Sequence, residues 1–290
     1  MPPRAHLDVV VAQTAPALGD REANRINAAA MLAEHPAADV VVFPELSLTG
    51  YAMGHRAREL GMTLEAGLPF PLDLGRGHAV AVVGMVERGE DHLTYNSTVA
   101  VREGTILAVQ RKRYLPTYGT FDEGRLFAPG RRSPRPFTIA EGWSAGLLVC
   151  EDFWHPSLSY LHAIQGMDVL IVQAAAPGRG LPPDTGDVER RFASTSAWEI
   201  IARATALIHG IHVVLCNRVG IEGGITFAGG SMVVGPDGEI LARAKEGEPD
   251  TTSVRLHRAA VARARQPFSH LRDEDPAVTL HTLERILSQR

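Results

Sequence analysis

Cys150 closes the apolar run Leu147-Leu148-Val149-Cys150 and is followed at once by Glu151, Asp152, Phe153 and Trp154. A thiol at the end of a buried strand, where the chain turns polar, is where many α/β enzymes hold a nucleophile. Two other segments end in the same way. Val40-Val41-Val42-Phe43-Pro44 runs into Glu45, and Ile106-Leu107-Ala108-Val109-Gln110 runs into Arg111, Lys112 and Arg113. An acid, an amine and a thiol, each at the C-terminal end of a predicted strand, can meet at one edge of a sheet. Acyl transfer from an amide needs those parts: a nucleophile, a group to move its proton to the leaving amine, and positive charge where the oxyanion forms. Cys150 offers the sulfur, Glu45 the base and Lys112 the ammonium, and the backbone N–H of Glu151 is a natural second oxyanion donor. General-base assistance is worth roughly a hundred- to ten-thousand-fold in rate. One oxyanion donor is worth about 3–4 kcal/mol.

Taken singly, each residue has a plainer reading. Cys150 could be a small core residue, Glu45 a solvated strand-end acid and Lys112 part of an exposed basic turn. The same local arrangement occurring three times is what points to a shared site. Rival sites are weaker. His155 precedes Pro156 among aromatics and reads as a loop or pocket-wall residue rather than a partner for Cys150. His209 and His212 flank a helix-to-strand turn without a third ligand at recognisable spacing, so no metal site is expected. Cys216 ends Val213-Val214-Leu215 and reads as a packed core thiol. Tyr51, Phe153 and Trp154 suit a pocket wall or a core edge equally. Gly223, Gly224, Gly229 and Gly230 do not follow a dinucleotide-binding spacing and read as turn residues.

The elements that would position these groups follow from periodicity. Residues 7–13 and 39–43 read as strands around a helix that starts after Gly19-Asp20, a βαβ unit. Residues 79–86, 93–101 and 105–110 read as three strands joined by turn signals at 88–91 and 103–104. Strands at 137–140 and 145–150, a helix at 157–165 and a strand at 168–173 follow. A Pro/Gly-rich loop then leads to the longest predicted helix, 187–209, and a strand at 211–216. A glycine-rich passage enters 231–235, and strands are expected at 239–244 and, at an edge, 251–256. After Pro276, Val278, Leu280, Leu283, Ile286 and Leu287 mark a final amphipathic helix. The sequence shows no linker between two cores, no repeat and no low-complexity tract. One domain over residues 1–290 is expected, with 257–290 as a C-terminal extension. The mixture of βαβ units and hairpins predicts an α/β fold with two mixed sheets face to face and helices outside.

Composition narrows the partners. A formal charge of −4 argues against nucleic acid or an anionic membrane surface, which select basic proteins. No apolar stretch approaches the ~20 residues that a membrane span needs. The N-terminal residues lack the apolar core and cleavage site of a signal peptide, and two cysteines offer no disulfide framework, so a cytoplasmic location is expected.

VVFPELSLTGY (41–51), RKRYLPTYGTFDEGRLFAPG (111–130) and LLVCEDFWHP (147–156) resemble the nitrilase superfamily of carbon–nitrogen hydrolases. The similarity continues through CNRVG (216–220) and FAGGSMVVGPDGE (227–239). The resemblance implies a four-layer αββα sandwich and a Glu-Lys-Cys triad that needs no cofactor. Glu45 would be the general base, Lys112 the oxyanion-stabilising lysine and Cys150 the nucleophile that forms a thioester. Glu123 sits where the family often has a second assisting glutamate. It further implies a small-molecule amide substrate and a homodimer or larger assembly, paired through helices beside the nucleophile.

Within the superfamily the motifs are most similar to the glutaminase domain of glutamine-dependent NAD synthetase. Tyr118 and Glu151 match positions that contact glutamine there, and Trp154 is a further substrate-binding candidate. Two departures stand out. That branch continues into an ATP-dependent synthetase domain, whereas this sequence ends at Arg290 and has no GxxxxGK[ST] phosphate loop, so a stand-alone hydrolase is expected. The strand after the nucleophile ends Gln173-Ala174-Ala175-Ala176-Pro177, where the branch has a serine-rich stretch for the amino acid end of its substrate. Amide chemistry is therefore expected apart from glutamine specificity. An ammonia-supplying glutaminase subunit of a separate synthetase, and nitrile hydrolysis, are the alternatives.

Overall fold

Strands whose residues are apolar throughout need cover on both faces. In the computed structural model, which describes residues 4–64, 78–180, 192–267 and 270–289, they have it. Strand β1 (His6–Gln13), helix α1 (Arg21–Glu34) and strand β2 (Val40–Val42) form the opening βαβ unit, with the Asp20 carboxylate capping α1 by accepting the Ala23 N–H. A short helix, α2 (Ala57–Leu60), precedes β3 (Val80–Arg88), β4 (Thr94–Arg102) and β5 (Thr105–Arg111). The chain continues through α3 (Glu123–Leu126), β6 (Phe137–Ala140), β7 (Trp143–Val149), α4 (Pro156–Ala163) and β8 (Val169–Ala174). Then come α5 (Ala193–His209), β9 (His212–Asn217), the hairpin β10 (Val219–Glu222) and β11 (Ile225–Ala228), and β12 (Met232–Val234). Strands β13 (Ile240–Arg243) and β14 (Asp250–His257) and helices α6 (Arg258–Arg265) and α7 (Pro276–Leu287) follow.

Two six-stranded mixed sheets result, ordered β14-β1-β2-β3-β4-β5 and β13-β12-β9-β8-β7-β6. Each has three parallel strands in its interior, β1-β2-β3 in one and β7-β8-β9 in the other, with antiparallel neighbours on both sides. Read from β14 and from β6, the succession of parallel and antiparallel pairings is the same. The sequence shows no repeat, yet the topology does, because pairing direction constrains connectivity and not residue identity.

Side-chain alternation builds four layers. Val9, Val11, Val40, Val42, Val80 and Val82 point between the sheets and meet Trp143, Leu147, Ile171 and Val214 of the other sheet. Val10, Ala12, Val41 and Val83 point outward beneath Ala28 and Leu32 of α1. Leu170, Val172, Val213 and Leu215 point outward beneath Trp198, Ala202 and Ala206 of α5. With both faces apolar, hydrophobicity alone does not fix register. Buried polar side chains do. Gln173 Nε2 crosses from β8 to donate to Phe43 O and Val82 O at 2.7 and 2.9 Å, and the Cys216 thiol reaches Val42 O at 3.3 Å.

Some boundaries differ from expectation. Helix α5 starts at Ala193 rather than 187, its first described residue Phe192 being extended, and 187–191 lie outside the described residues. The glycine-rich passage is a two-stranded hairpin whose turn uses Gly223 and Gly224 at φ 57° and 79°. The final helix forms as expected, but Val278, Leu280, Leu283, Ile286 and Leu287 are all exposed, so its apolar stripe is not covered by the described residues.

Candidate active site

Glu45, Lys112 and Cys150 each follow the C-terminal end of a strand: β2, β5 and β7. Beyond β2 the chain folds back over β3. Leu48 N–H donates to Gly84 O at 2.9 Å, and Gly84 N–H donates to Ser47 Oγ at 3.0 Å. Leu46 is left-handed at φ 51°, which turns the chain directly after the acid. This approach requires glycine at 84, where a Cβ would lie 2.3 Å from Leu46 N and 2.8 Å from Pro44 O.

Beyond β5, Lys112 keeps the ladder to β4 by donating its N–H to Asn96 O at 2.8 Å. Alternation then sends neighbouring side chains apart. Arg111 pairs with Glu87 over the Tyr95 ring, while Lys112 turns inward and is fully buried. Its ammonium donates to Glu45 Oε1 at 2.8 Å and to Glu123 Oε1 at 2.7 Å. Asn96 Nδ2 also donates to Glu45 Oε1 at 2.7 Å, and the Tyr51 hydroxyl donates to Glu123 Oε1 at 2.5 Å. Glu45 Oε2 is buried with no hydrogen-bond partner among the described residues.

Cys150 is left-handed at φ 47° and opens a 3-10 turn, Cys150–Trp154. A non-glycine residue held there is strained, and such strain gathers at functional positions. Asp152, in the same turn, accepts the backbone N–H groups of Arg113 and Tyr114, each at 2.9 Å. The Cys150 turn is thereby tied to the residues that directly follow Lys112.

Electrostatics show that the groups share one environment. Burial pushes the Cys150 thiol well above its ordinary pKa, Glu45 adds to the rise, and Lys112 and the Ala175 N–H oppose it. The resting sulfur is therefore a thiol. Burial pulls the Lys112 ammonium down, but Glu123 and Glu45 more than reverse this and leave it well above the ordinary lysine value. Burial raises Glu123, against Lys112. Asp152 is pushed up to about 7, chiefly by burial.

Other expected residues divide. Tyr118, half exposed, donates its hydroxyl to Glu151 Oε2 at 2.8 Å, so these two meet. Trp154 instead stands edge-on to Trp198 of α5, its centroid 5.5 Å away, against the outer helical layer. His155 stacks on Tyr114 at 3.4 Å, and Cys216 is buried between the sheets. Asn96, Asp152, Gln173 and Glu222 were not singled out by sequence reasoning. Asn96 and Gln173 did carry a signal, as amides inside apolar strands, where a buried amide demands partners. Among the described residues no group of three or more His, Cys, Asp or Glu is arranged to hold a metal ion, and no helix is long and apolar enough to cross a membrane.

Comparison with known proteins gives a consistent picture. The family model described as carbon-nitrogen hydrolase matches residues 9–266. The glutamine-dependent NAD(+) synthetase of Thermotoga maritima is 31% identical over 261 residues, which cover 86% of this chain and 42% of that protein. The corresponding synthetase of Acinetobacter baylyi is 28% identical over 81% of this chain and 41% of its own. The chain thus spans about two-fifths of the length of these curated relatives. Among solved structures, a carbon-nitrogen hydrolase from Helicobacter pylori G27 is 28% identical with a TM-score of 0.81, covering 94% of this chain and 96% of that one. An amidase of the nitrilase superfamily from Nesterenkonia AN1 is 25% identical with a TM-score of 0.74, covering 96% and 98%.

Proposed function

Because this chain belongs to the carbon-nitrogen hydrolase family, we propose that it hydrolyses small-molecule amides through a Glu45-Lys112-Cys150 triad. The observation that carries this is the division of labour around one buried ammonium. Lys112 has three N–H donors, two are taken by Glu45 and Glu123, and one is left for a developing oxyanion. Glu45 in turn keeps Oε2 free, within electrostatic reach of the Cys150 thiol.

The steps follow from those protonation states. The thiol passes its proton to Glu45 Oε2 as the sulfur bonds to the amide carbon. Lys112 and the Glu151 N–H hold the oxyanion. Collapse of the tetrahedral adduct breaks the carbon–nitrogen bond, and Glu45 returns the proton so that ammonia leaves a thioester. Glu45 then takes a proton from water, which attacks the thioester, and the departing sulfur recovers that proton. Each step uses only side chains, the Glu151 backbone N–H and water, with no cofactor. The same reading favours a reducing compartment such as the cytoplasm, where Cys150 stays a thiol.

A second reading, an ammonia-supplying glutaminase acting with an ATP-dependent synthetase, is favoured by the synthetases among the relatives and by the Tyr118–Glu151 pair. Ala175 and Ala176 favour a substrate other than glutamine, since neither side chain can hydrogen-bond an amino acid end. An ammonia-release screen over glutamine, other ω-amides, carbamoyl compounds, simple amides and nitriles separates these readings. Cys150→Ala should abolish every activity found, and full activity in that variant would end the proposal. We also propose a homodimer. Leu161 of α4 and Ile200, Leu207 and Ile208 of α5 are exposed apolar side chains on the helices outside the second sheet, and light scattering of the purified protein tests it.

A further inference from the structure

A chain of buried hydrogen bonds leads from the catalytic ammonium to the β10–β11 hairpin. Lys112 Nζ donates to Glu123 Oε1, and the Tyr51 hydroxyl donates to the same oxygen. Tyr51 does not hold itself in place. Its backbone N–H, and that of Ala52, donate to Glu222 Oε1 at 2.6 and 2.5 Å. Glu222 Oε2 accepts from Arg218 at 3.0 Å, and the Arg218 guanidinium lies 4.2 Å over the Phe227 ring. Phe227 in turn meets the Tyr51 ring edge-on, with centroids 5.7 Å apart. Glu222 is 6% exposed and Arg218 1%, so neither is a solvated surface charge.

We infer that Glu222 is a positioning residue for the Glu45–Lys112–Glu123 cluster, acting through Tyr51. This rests on the reading of Glu45 as base and Cys150 as nucleophile. A carboxylate is needed at 222 because one oxygen must accept two backbone N–H groups while the other accepts a guanidinium. An amide has one acceptor and one donor and cannot serve both sides. With Tyr51 released, Glu123 keeps Lys112 but loses its hydroxyl donor. Glu123 then takes up a proton more readily, because a hydrogen bond to its ionised form has gone. That proton removes one of the two anions that fix the ammonium, and reactivity at Cys150 falls. The charged and titratable groups facing this point are Glu45 after β2, Lys112 after β5, Glu123 of α3, Cys150 after β7, and Arg218 with Glu222 at the hairpin.

Alkylation of Cys150 by iodoacetamide tests this without knowledge of the substrate. The sulfur bonds to the methylene carbon, iodide leaves, and the thiol proton goes to Glu45. Rates are read by mass spectrometry from pH 5 to 9 for the unaltered protein, Tyr51→Phe, Glu222→Gln and the double variant. Both single variants should move the acid-side midpoint upward by about one pH unit, as the loss of one bond to an ionised acceptor implies. The double variant should match Tyr51→Phe alone. An unchanged midpoint in Glu222→Gln, or shifts that add in the double variant, would overturn the inference. Should Glu222→Gln fail to fold, Glu222→Asp, which keeps the charge beside Arg218 but reaches Tyr51 less closely, should give a smaller upward shift; no shift there would overturn it equally. Proposed amide hydrolysis is tested separately by ammonia release, so the two can fail independently.

Discussion

Asp152 Oδ1 accepts the backbone N–H of Arg113 at 2.9 Å, which joins the turn holding Cys150 to the residue after Lys112. Thirty-nine positions of sequence separate the two, and the Tyr114 N–H donates to the same oxygen, so the tie is double. The Cys150 turn and the chain directly after Lys112 are set relative to each other by this side chain.

That carboxylate predicts a pH dependence of stability. Burial raises Asp152 from an ordinary 3.8 to about 7. The folded state therefore keeps a proton that the unfolded chain has released, and the associated stability is fully present below about pH 4 and lost as pH rises through about 7. Asp152→Asn retains an acceptor and removes the titration. Urea unfolding at pH 5 and pH 8 should show the unaltered protein losing on the order of 1–3 kcal/mol relative to that variant. Equal losses in the two proteins would contradict the assignment.

Lys112 is the only cation contacting two buried carboxylates, Glu45 and Glu123, among the described ion pairs. Lys112→Met leaves both without a counter-charge. It should destabilise the fold by about 3–5 kcal/mol and lower turnover of any substrate found by about a thousand-fold or more. Thermal unfolding and steady-state rates check the two parts, and a variant with near-normal turnover would remove the lysine from the mechanism.

Gly84→Ala introduces one methyl group against the backbone that carries Glu45. Its Cβ would meet backbone atoms of residues 44–46, not the end of a flexible side chain, so the Glu45 segment must move. Loss of most activity is expected, with a fall in the unfolding midpoint, since a displacement near 1 Å at a catalytic group costs about a hundred-fold. Retained kcat would mean that the acid tolerates more freedom than the geometry implies.

Gln173→Leu keeps the volume of a side chain that bridges the sheets but leaves Phe43 O and Val82 O without that donor. Val82 O still accepts the Phe43 N–H at 2.9 Å, so a loss of about 1–3 kcal/mol is expected, chiefly from Phe43 O, read by chemical denaturation. A change within error would assign those carbonyls to other partners.

The proposed triad is legible in the sequence because each member sits at a local boundary, where an apolar strand gives way to polar sequence. Cys150 after Val149 and Glu45 after Phe43-Pro44 need no distant information to be suspected. Trp154 shows the limit of that logic. It shares the polar junction with Cys150, yet the 3-10 turn carries its ring to Trp198 and the helical layer. Glu222 shows the converse. Nothing in IEGG announces a role; Arg218 is a local partner, but only the return of the hairpin to Tyr51, 171 positions away, gives that carboxylate the two backbone N–H groups it accepts.

The order of residues by itself determined the two-faced strands, the helix caps, the turn glycines and the three places where chemistry could begin. These are short-range properties, set by side-chain period, backbone preference and adjacent polarity. Tertiary structure alone decided that Lys112 is shared between Glu45 and Glu123, that Gly84 lies under the acid, and that Gln173, Asp152 and Glu222 hold the parts in register. Each of those facts is a hydrogen bond or a close approach between segments distant in sequence. Its free energy depends on burial and on angstrom-level placement, which exist only once two sheets have packed together.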